Sequence, residues 1–470
     1  MKKIYTMICF LLSVGLTSCN DWLDVKPETE ETLDEIFSKQ QGYQDVLIGS
    51  YLNLKSEALY GEHLTFGNIE YLAQHWTYET ETSGEQLSRF NYKSKYAENA
   101  FSRIFGEMYH TIAELNMMLQ NIDHSGAHFE KGIYEIIKGE ALAMRAYCHF
   151  DLLRIFGPIP SNVSGKSILP YVKEAHIDYH QHLPYTEYVT LLEQDLLEAE
   201  KLLKEYDPIV NTEQLSGLSV SATNFLKDRK RRLNYYAIKA LEARFYLWLG
   251  GEDNKAKACT CAKEVISAKN TYGDMLYKLG SMQDITDANY SFPSEHIFSI
   301  YDFKLFSKAK MNFTGAVVYK KDKSLIKTDF FKAGTTDIRQ MLWNEEIADN
   351  QSRSYTITKY IQPESEANNL IPMIRLSEMY FIVMECGTLD EANKLYEDFC
   401  IQRDIKPITI TNNEQLNDML IEEYNKEFYG EGQMFYTYKR MNVSEMKWAM
   451  DLGNEDSYVV PLPRKEVSYN

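Results

Sequence analysis

Apolar residues recur at three- and four-residue intervals over most of the first 268 positions, the pattern of helices that bury one stripe. Such segments fall at Leu33–Leu54, Ala100–Ile122, Gly132–Phe156, Tyr185–Lys204, Leu233–Leu249 and Asn254–Ala268, with two more at Pro372–Cys386 and Leu389–Asp404. These predicted helices group into four pairs. Two of the pairs align without a gap at an offset of 136 residues, so that Glu242 matches Glu378, Phe245 matches Phe381, Gly251 matches Gly387 and Ala256 matches Ala392. The glycine is expected to close the first helix in a left-handed cap. The alanine is expected where the second helix approaches the first. A unit of about 34 residues has the length of a tetratricopeptide repeat, whose helical hairpins bury their apolar faces only by stacking. The units are interrupted, which predicts one merged domain instead of a free solenoid.

From about Asn270 to Leu370 the period shortens to two, as in "HIFSIYDF" (His296–Phe303) and "SYTITKYI" (Ser354–Ile361), with Gly, Pro, Asn and Asp between. The expected fold is therefore mainly α: a tetratricopeptide-like scaffold of four helix pairs, at about 33–268 and 371–404, overlaid by an irregular, partly β region at about 270–370. Loops held on a rigid frame are where binding residues usually lie.

The amino terminus alters the setting. Lys2 and Lys3 precede an apolar run from Ile4 to Leu16. That run is too short to span about 30 Å of hydrocarbon and fits the core of a secretory signal. It ends Leu16-Thr17-Ser18-Cys19, a pattern that resembles a bacterial lipoprotein cleavage site. Residues 1–18 are expected to be removed and Cys19 to be acylated, leaving residues 19–470 as a single tethered domain. More than one acyl chain, at about 0.8 kcal/mol per buried methylene, makes a stable anchor.

The balance of 50 basic against 68 acidic residues gives a net charge of −18, a surface that repels phosphate backbones and excludes nucleic acid as a partner. Beyond Cys9 and Cys19, the cysteines are Cys148, Cys259, Cys261, Cys386 and Cys400, with neither CxxC nor zinc-ligand spacing. They read as core residues or incidental thiols, and no metal or cofactor is predicted. "SGKS" at Ser164–Ser167 lacks the glycine that a phosphate loop needs at position 160, which is Pro160. With no nucleophile elbow and no metalloprotease motif either, no enzyme activity is predicted.

Five ordered stretches carry a resemblance. They are "CNDWLDVKP" (Cys19–Pro27), "GEALAMRAYCHFDLLRIFGPIP" (Gly139–Pro160), "IPMIRLSEMYFIVMEC" (Ile371–Cys386), "EEYNKEFYGEGQMFYTYKR" (Glu422–Arg440) and "YVVPLPRKEVSYN" (Tyr458–Asn470). In them the chain resembles the RagB/SusD family of nutrient-binding outer-membrane lipoproteins of Bacteroidetes. It departs from the family pattern at Met434, where arginine is usual, and at Thr437-Tyr438, in place of Asp-Leu. The resemblance implies a lipid-anchored protein at the cell surface that binds oligosaccharide or polysaccharide and acts as a lid over a SusC-like TonB-dependent transporter. Two alternatives stand beside it: a peptide-binding subunit of a RagAB-like complex, and a tetratricopeptide adaptor that binds no small ligand. The motifs themselves are expected to serve the fold. Glu140, Arg145, Asp151 and Arg154 would form ion pairs, Arg375 would pair with Glu378 at i, i+3, and the glycines of "EFYGEGQ" would turn the chain.

Sugars offer C–H faces to aromatic rings and hydroxyls to polar groups. Most of the 34 Tyr, 22 Phe and 5 Trp must be core, so aromatics in predicted loops are the informative ones. The stretch Gln74–Tyr96 contains Trp76, Tyr78, Arg89, Phe90, Asn91 and Tyr92, and the irregular region adds Trp343 and Asn344, with Tyr319 weaker. The resemblance implies that these two regions face the ligand. The candidate binding set is Trp76, Tyr78, Arg89, Asn91, Tyr92, Trp343 and Asn344. The competing reading makes Trp76 and Trp343 anchors that pack loops onto the scaffold.

Overall fold

The structure, a computed structural model, describes residues 32–468 apart from 177, 316–317, 333, 348–350, 352, 362–368 and 451. The signal segment, Cys19 and the Cys19–Pro27 motif lie outside the described residues.

Four helical hairpins form the scaffold. They are α1 (Gln40–Leu54) with α2 (Lys95–Ile122), α3 (Ile133–Phe156) with α4 (Tyr185–Tyr206), α5 (Tyr235–Leu249) with α6 (Glu252–Ile266), and α7 (Leu376–Cys386) with α8 (Leu389–Arg403). Helix α2 also packs on α3, α4 on α5 and α6 on α7, so each hairpin covers the apolar face of the next. The fold is mainly α and tetratricopeptide-like, as the helical period predicts.

Helix α3 is the centre of the stack, with every residue from Gly139 to Phe156 buried. A buried charge must be paired, and the charges of α3 are. Arg145 donates to both carboxylate oxygens of Asp195 at 2.7 Å, while Asp151 pairs with Arg154 one turn on. Glu140 holds Arg229 and Arg232 and accepts from the Tyr51 hydroxyl at 2.6 Å. Gly139 permits the close crossing of α4, since a Cβ there would lie 2.9 Å from Leu203 Cγ.

Of the three two-stranded antiparallel sheets among the described residues, two overlie the scaffold in the region after residue 290. Strand β1 (His296–Tyr301) pairs with β4 (Leu370–Arg375), and β2 (Trp343–Ile347) pairs with β3 (Arg353–Ile357). The helix expected from Pro372 begins instead at Leu376. All six residues of β4 are buried, and a fully buried apolar run has no period to separate strand from helix. The helix expected over Leu33–Leu54 is divided into Leu33–Ile36 and α1.

The internal repeat differs from its expected register. The caps Gly250 and Gly387, and the starts of α6 and α8 at Glu252 and Leu389, stand 137 residues apart, one more than the gapless offset. Gly387 is not left-handed, with φ −89°; its lack of a side chain matters because a Cβ would lie 2.8 Å from the Val383 carbonyl. Ala392 is fully buried but Ala256 is exposed, so the two alanines do not share a close approach.

Two further helices, α9 (Asn413–Glu427) and α10 (Met434–Met441), close the chain against α7 and the segment 64–76. Between them lies "EFYGEGQ". Gly430 and Gly432 have φ +73° and +72°, conformations that favour glycine, and both amides donate to Glu70, at 2.9 and 2.7 Å. Glu431 takes Lys359 and Arg375. Arg375 does not pair with Glu378. It joins Glu295 at 3.0 Å, Glu427 at 2.7 Å and Glu431 at 2.8 Å, all fully buried, whereas Glu378 takes Arg244 from the neighbouring hairpin at 2.6 Å. Arg403 and Arg339 complete the network around Glu427. Burial pushes the Glu427 carboxyl up, but Arg403 and Arg375 outweigh it and hold the group well below the usual carboxylate range.

Candidate functional site

Three segments meet beside the β2–β3 hairpin: 74–79, which follows the short helix Asn68–Leu72, then 320–331, and the loop 442–450 beyond α10. Backbone bonds fix the first two, with Thr77 N–H donating to the Lys320 carbonyl at 2.8 Å and Lys321 N–H to the Tyr355 carbonyl at 2.9 Å. The third is held by its tryptophan. Trp448 Nε1 donates to Asp329 at 2.6 Å, and the indole packs on Phe330 with ring centroids 5.2 Å apart. Trp448 has φ +66°. A bulky side chain in this region costs on the order of 1–3 kcal/mol and persists only where surrounding contacts impose it.

The Trp448 indole is half-buried, as is Tyr78, whose hydroxyl contacts Met450 Sδ at 3.3 Å; Met450 is 75% exposed. Together they form an apolar shelf. Lys447 borders it, bridging Asp329 at 3.4 Å and Glu422 at 3.1 Å, and Lys320 pairs with Glu79 at 2.9 Å. Beneath lies Lys321, which donates to the Gln74 carbonyl at 2.7 Å and stands 4.3 Å from the Trp448 ring centroid. Burial pushes its ammonium down to about 7, with Asp322 and Asp329 opposing the shift. Tyr429 backs the site, its ring 5.2 Å from Trp76, 4.8 Å from Trp343 and 5.7 Å from Phe330. Ring faces with charged hydrogen-bonding groups at their edge suit a ligand that has C–H faces and hydroxyls. Among the described residues, no group of three or more His, Cys, Asp or Glu could hold a metal ion.

Of the residues singled out in the sequence, only Tyr78 lies on this shelf. Trp76 and Trp343 do not present their rings to solvent. Trp76 is 2% exposed, donates Nε1 to the Phe66 carbonyl at 2.8 Å, and packs on Phe313, Tyr319 and Tyr429. Trp343, 8% exposed, begins β2 and stacks on Tyr355. Tyr319 is buried with its hydroxyl on Glu62, at 2.7 Å. Tyr92 is half-buried against Phe101 and donates to the Ser457 carbonyl at 2.6 Å, serving to fasten the C-terminal segment. Arg89 and Asn91 are exposed but bonded within their own segment, to Glu85 and Gln86; Asn344 is exposed and bonds Glu346. Trp448, Lys321, Asp329 and Lys447 were missed. The available signal was a tryptophan in "MKWAMDLG" (446–453), where large apolar residues alternate at 446, 448, 450 and 452.

The comparisons agree with this architecture. A SusD-like family model, described as starch-binding and associating with the outer membrane, matches residues 21–247. No curated protein matches the chain. Among solved structures, a SusD superfamily protein from Bacteroides thetaiotaomicron is 20% identical with a TM-score of 0.70, covering 92% of this chain and 98% of that one. A SusD-like carbohydrate-binding protein from Bacteroides vulgatus is 16% identical with a TM-score of 0.71, covering 92% and 97%. A SusD superfamily protein from Parabacteroides distasonis gives 16%, 0.66, 91% and 97%. Identities this low speak for the fold. Among the described residues no helix is long and apolar enough to cross a membrane. Residues 21–247 thus resemble the SusD-like family, and the described chain shares the fold of the SusD superfamily structures.

Proposed function

We propose that this protein is a lipid-anchored glycan receptor at the cell surface that passes oligosaccharide to a TonB-dependent outer-membrane transporter and performs no catalytic step. The observation that carries this reading is the half-exposed shelf of Trp448, Tyr78 and Met450, edged by Asp329 and Lys447, on a chain whose residues 21–247 match a family described as starch-binding and associating with the outer membrane. A pyranose laid on the indole gives up little hydration from its C–H face, while its hydroxyls meet the carboxylate and ammonium groups at the edge. A neutral polysaccharide is not repelled by a chain of net charge −18. Hydrolysis would need one carboxyl kept protonated opposite a second carboxylate across the scissile bond. Asp329 is bound to Trp448 Nε1 and faces Lys447, which places an acceptor for sugar hydroxyls at the edge of the indole. The signal segment and Cys19 supply the anchor in this reading, and the rigid helical stack supplies the body that covers a transporter.

The test has two parts. Electrophoresis of the purified body through gels containing neutral polysaccharides should show retardation by at least one of them. Protease shaving of intact cells, with mass spectrometry of the mature amino terminus, should find an exposed protein acylated at Cys19. A body that binds no glycan yet co-purifies with a transporter would replace the receptor by an adaptor. A free thiol at Cys19 would remove the anchor.

A further inference from the structure

A separate cavity of about 430 Å³ opens between α1, the turn at 228–232 and β1, and shares no residue with the shelf. Its walls are apolar where Ile48, Leu52 and Tyr301 reach solvent. Three cations, Arg232, Lys55 and Arg231, line it beside one carboxylate, Asp228; Arg232 pairs with Glu140, which leaves Lys55 and Arg231. Among the described residues neither has an ion pair or a side-chain hydrogen bond, and Lys55 engages only the rings of its surroundings, 5.4 Å from the Phe303 centroid. On a chain of net charge −18, uncompensated cations beside an apolar wall are a local reversal of the field.

The wall also holds polar groups left unbonded. Ser299 is only 5% exposed, yet among the described residues its Oγ has no hydrogen-bond partner. Arg232 donates Nε to Glu140 at 3.0 Å and Nη1 to the Phe225 carbonyl at 2.9 Å, while its buried Nη2 has no partner among the described residues. Buried polar groups are nearly always bonded, and each one left unmade costs about 1–3 kcal/mol. Both lie behind the wall of this one cavity, closed to solvent.

We propose that this cavity binds a saccharide unit that carries an anionic group, a uronate carboxylate or a sulfate ester. Its volume lies within the roughly 300–1,000 Å³ of small-molecule sites. The C–H face lies against Tyr301 and Leu52, and the anion faces Arg231 and Lys55. Arginine and lysine both suit such anions, arginine by its two-pronged geometry. The choice of a saccharide over another organic anion rests on the reading of the protein as a glycan receptor.

Titration calorimetry with the full chain tests this, using a galacturonate oligosaccharide, a sulfated oligosaccharide and a neutral maltooligosaccharide. The expected result is that at least one anionic ligand binds, more weakly as salt is raised, and loses about tenfold or more in affinity in the double variant Arg231→Gln, Lys55→Gln with its melting temperature unchanged. Trp448→Ala leaves that binding intact, and the double variant leaves any neutral-sugar binding intact. The anionic arm that binds identifies the group. Binding of an anionic saccharide without any neutral-sugar binding would sink the shelf and keep this site. The proposal is overturned if neither anionic ligand binds better than the neutral one, or if the double variant binds them as the parent does.

Discussion

Lys321 Nζ stands 4.3 Å from the centroid of the Trp448 indole and is buried against the Gln74 carbonyl. Burial lowers its affinity for a proton, to a pKa of about 7, so the ammonium beneath the shelf changes charge near neutral pH. The tryptophan fluorescence of the native protein is expected to titrate with a midpoint near pH 7, and this phase should be lost in Lys321→Gln. The linkage sign follows. The native pKa lies below the value of about 10.4 expected for the unfolded chain, so between about pH 7 and 10 the unfolded state binds the extra proton and stability rises with pH. Denaturant midpoints measured at pH 7 and 9.5 should show that rise reduced in Lys321→Gln.

Trp76 and Trp343 are expected to act on stability. Trp76→Ala removes an indole that is 2% exposed and deletes its bond to the Phe66 carbonyl. A loss of about 3–5 kcal/mol is typical of buried aromatics truncated to alanine. Urea denaturation should report it for Trp76→Ala and a similar loss for Trp343→Ala. An unchanged midpoint for Trp76→Ala would place the indole outside the core.

The network around Arg375 should make the fold sensitive to acid. Arg403 and Arg375 hold Glu295 and Glu427 below the ordinary carboxylate range against the opposing effect of burial. These groups contribute stability above the unfolded glutamate value of about 4.3 and lose it as pH falls through their folded values. Arg375→Ala leaves buried carboxylates without a partner, which costs about 3–5 kcal/mol. Acid unfolding of that variant should begin at a higher pH than in the parent, as followed by circular dichroism.

Two glycines should respond in opposite directions. Gly432 has φ +72°, and a Cβ there would lie 2.0 Å from the Leu64 carbonyl oxygen, so Gly432→Ala should destabilise strongly. Gly49 lies within α1 with nothing within 4 Å of an added Cβ, and Gly49→Ala should stabilise by about 1 kcal/mol, the difference in helix propensity. Melting temperatures of the two variants check both signs.

The helical scaffold was legible in the sequence because amphipathic period and hairpin length are local properties. The strand Leu370–Arg375 was not, since burial on all sides erased its alternation. The ion pairs expected of Glu140, Arg145, Asp151 and Arg154 form, but the i, i+3 pair of Arg375 with Glu378 does not, because more distant partners take both. Glu378 finds Arg244, and Arg375 finds three glutamates more than 50 residues away. The site suffered for the same reason. A loop tryptophan reads alike whether it anchors or binds, and only the carbonyl of Phe66 and the ring of Tyr429 place Trp76 in the core. Trp448 was not singled out because a positive φ and a bond to Asp329 leave no trace in the sequence.

The most direct test is affinity electrophoresis of the parent protein, Trp448→Ala and Tyr78→Ala in gels containing a panel of neutral polysaccharides. The expected result is that the parent is retarded by at least one of them. Trp448→Ala should lose at least about tenfold in affinity, or 1.4 kcal/mol, with a melting temperature that falls less than that of Trp76→Ala. A parent unretarded by every polysaccharide, or a Trp448→Ala variant retarded as strongly as the parent, would contradict the account.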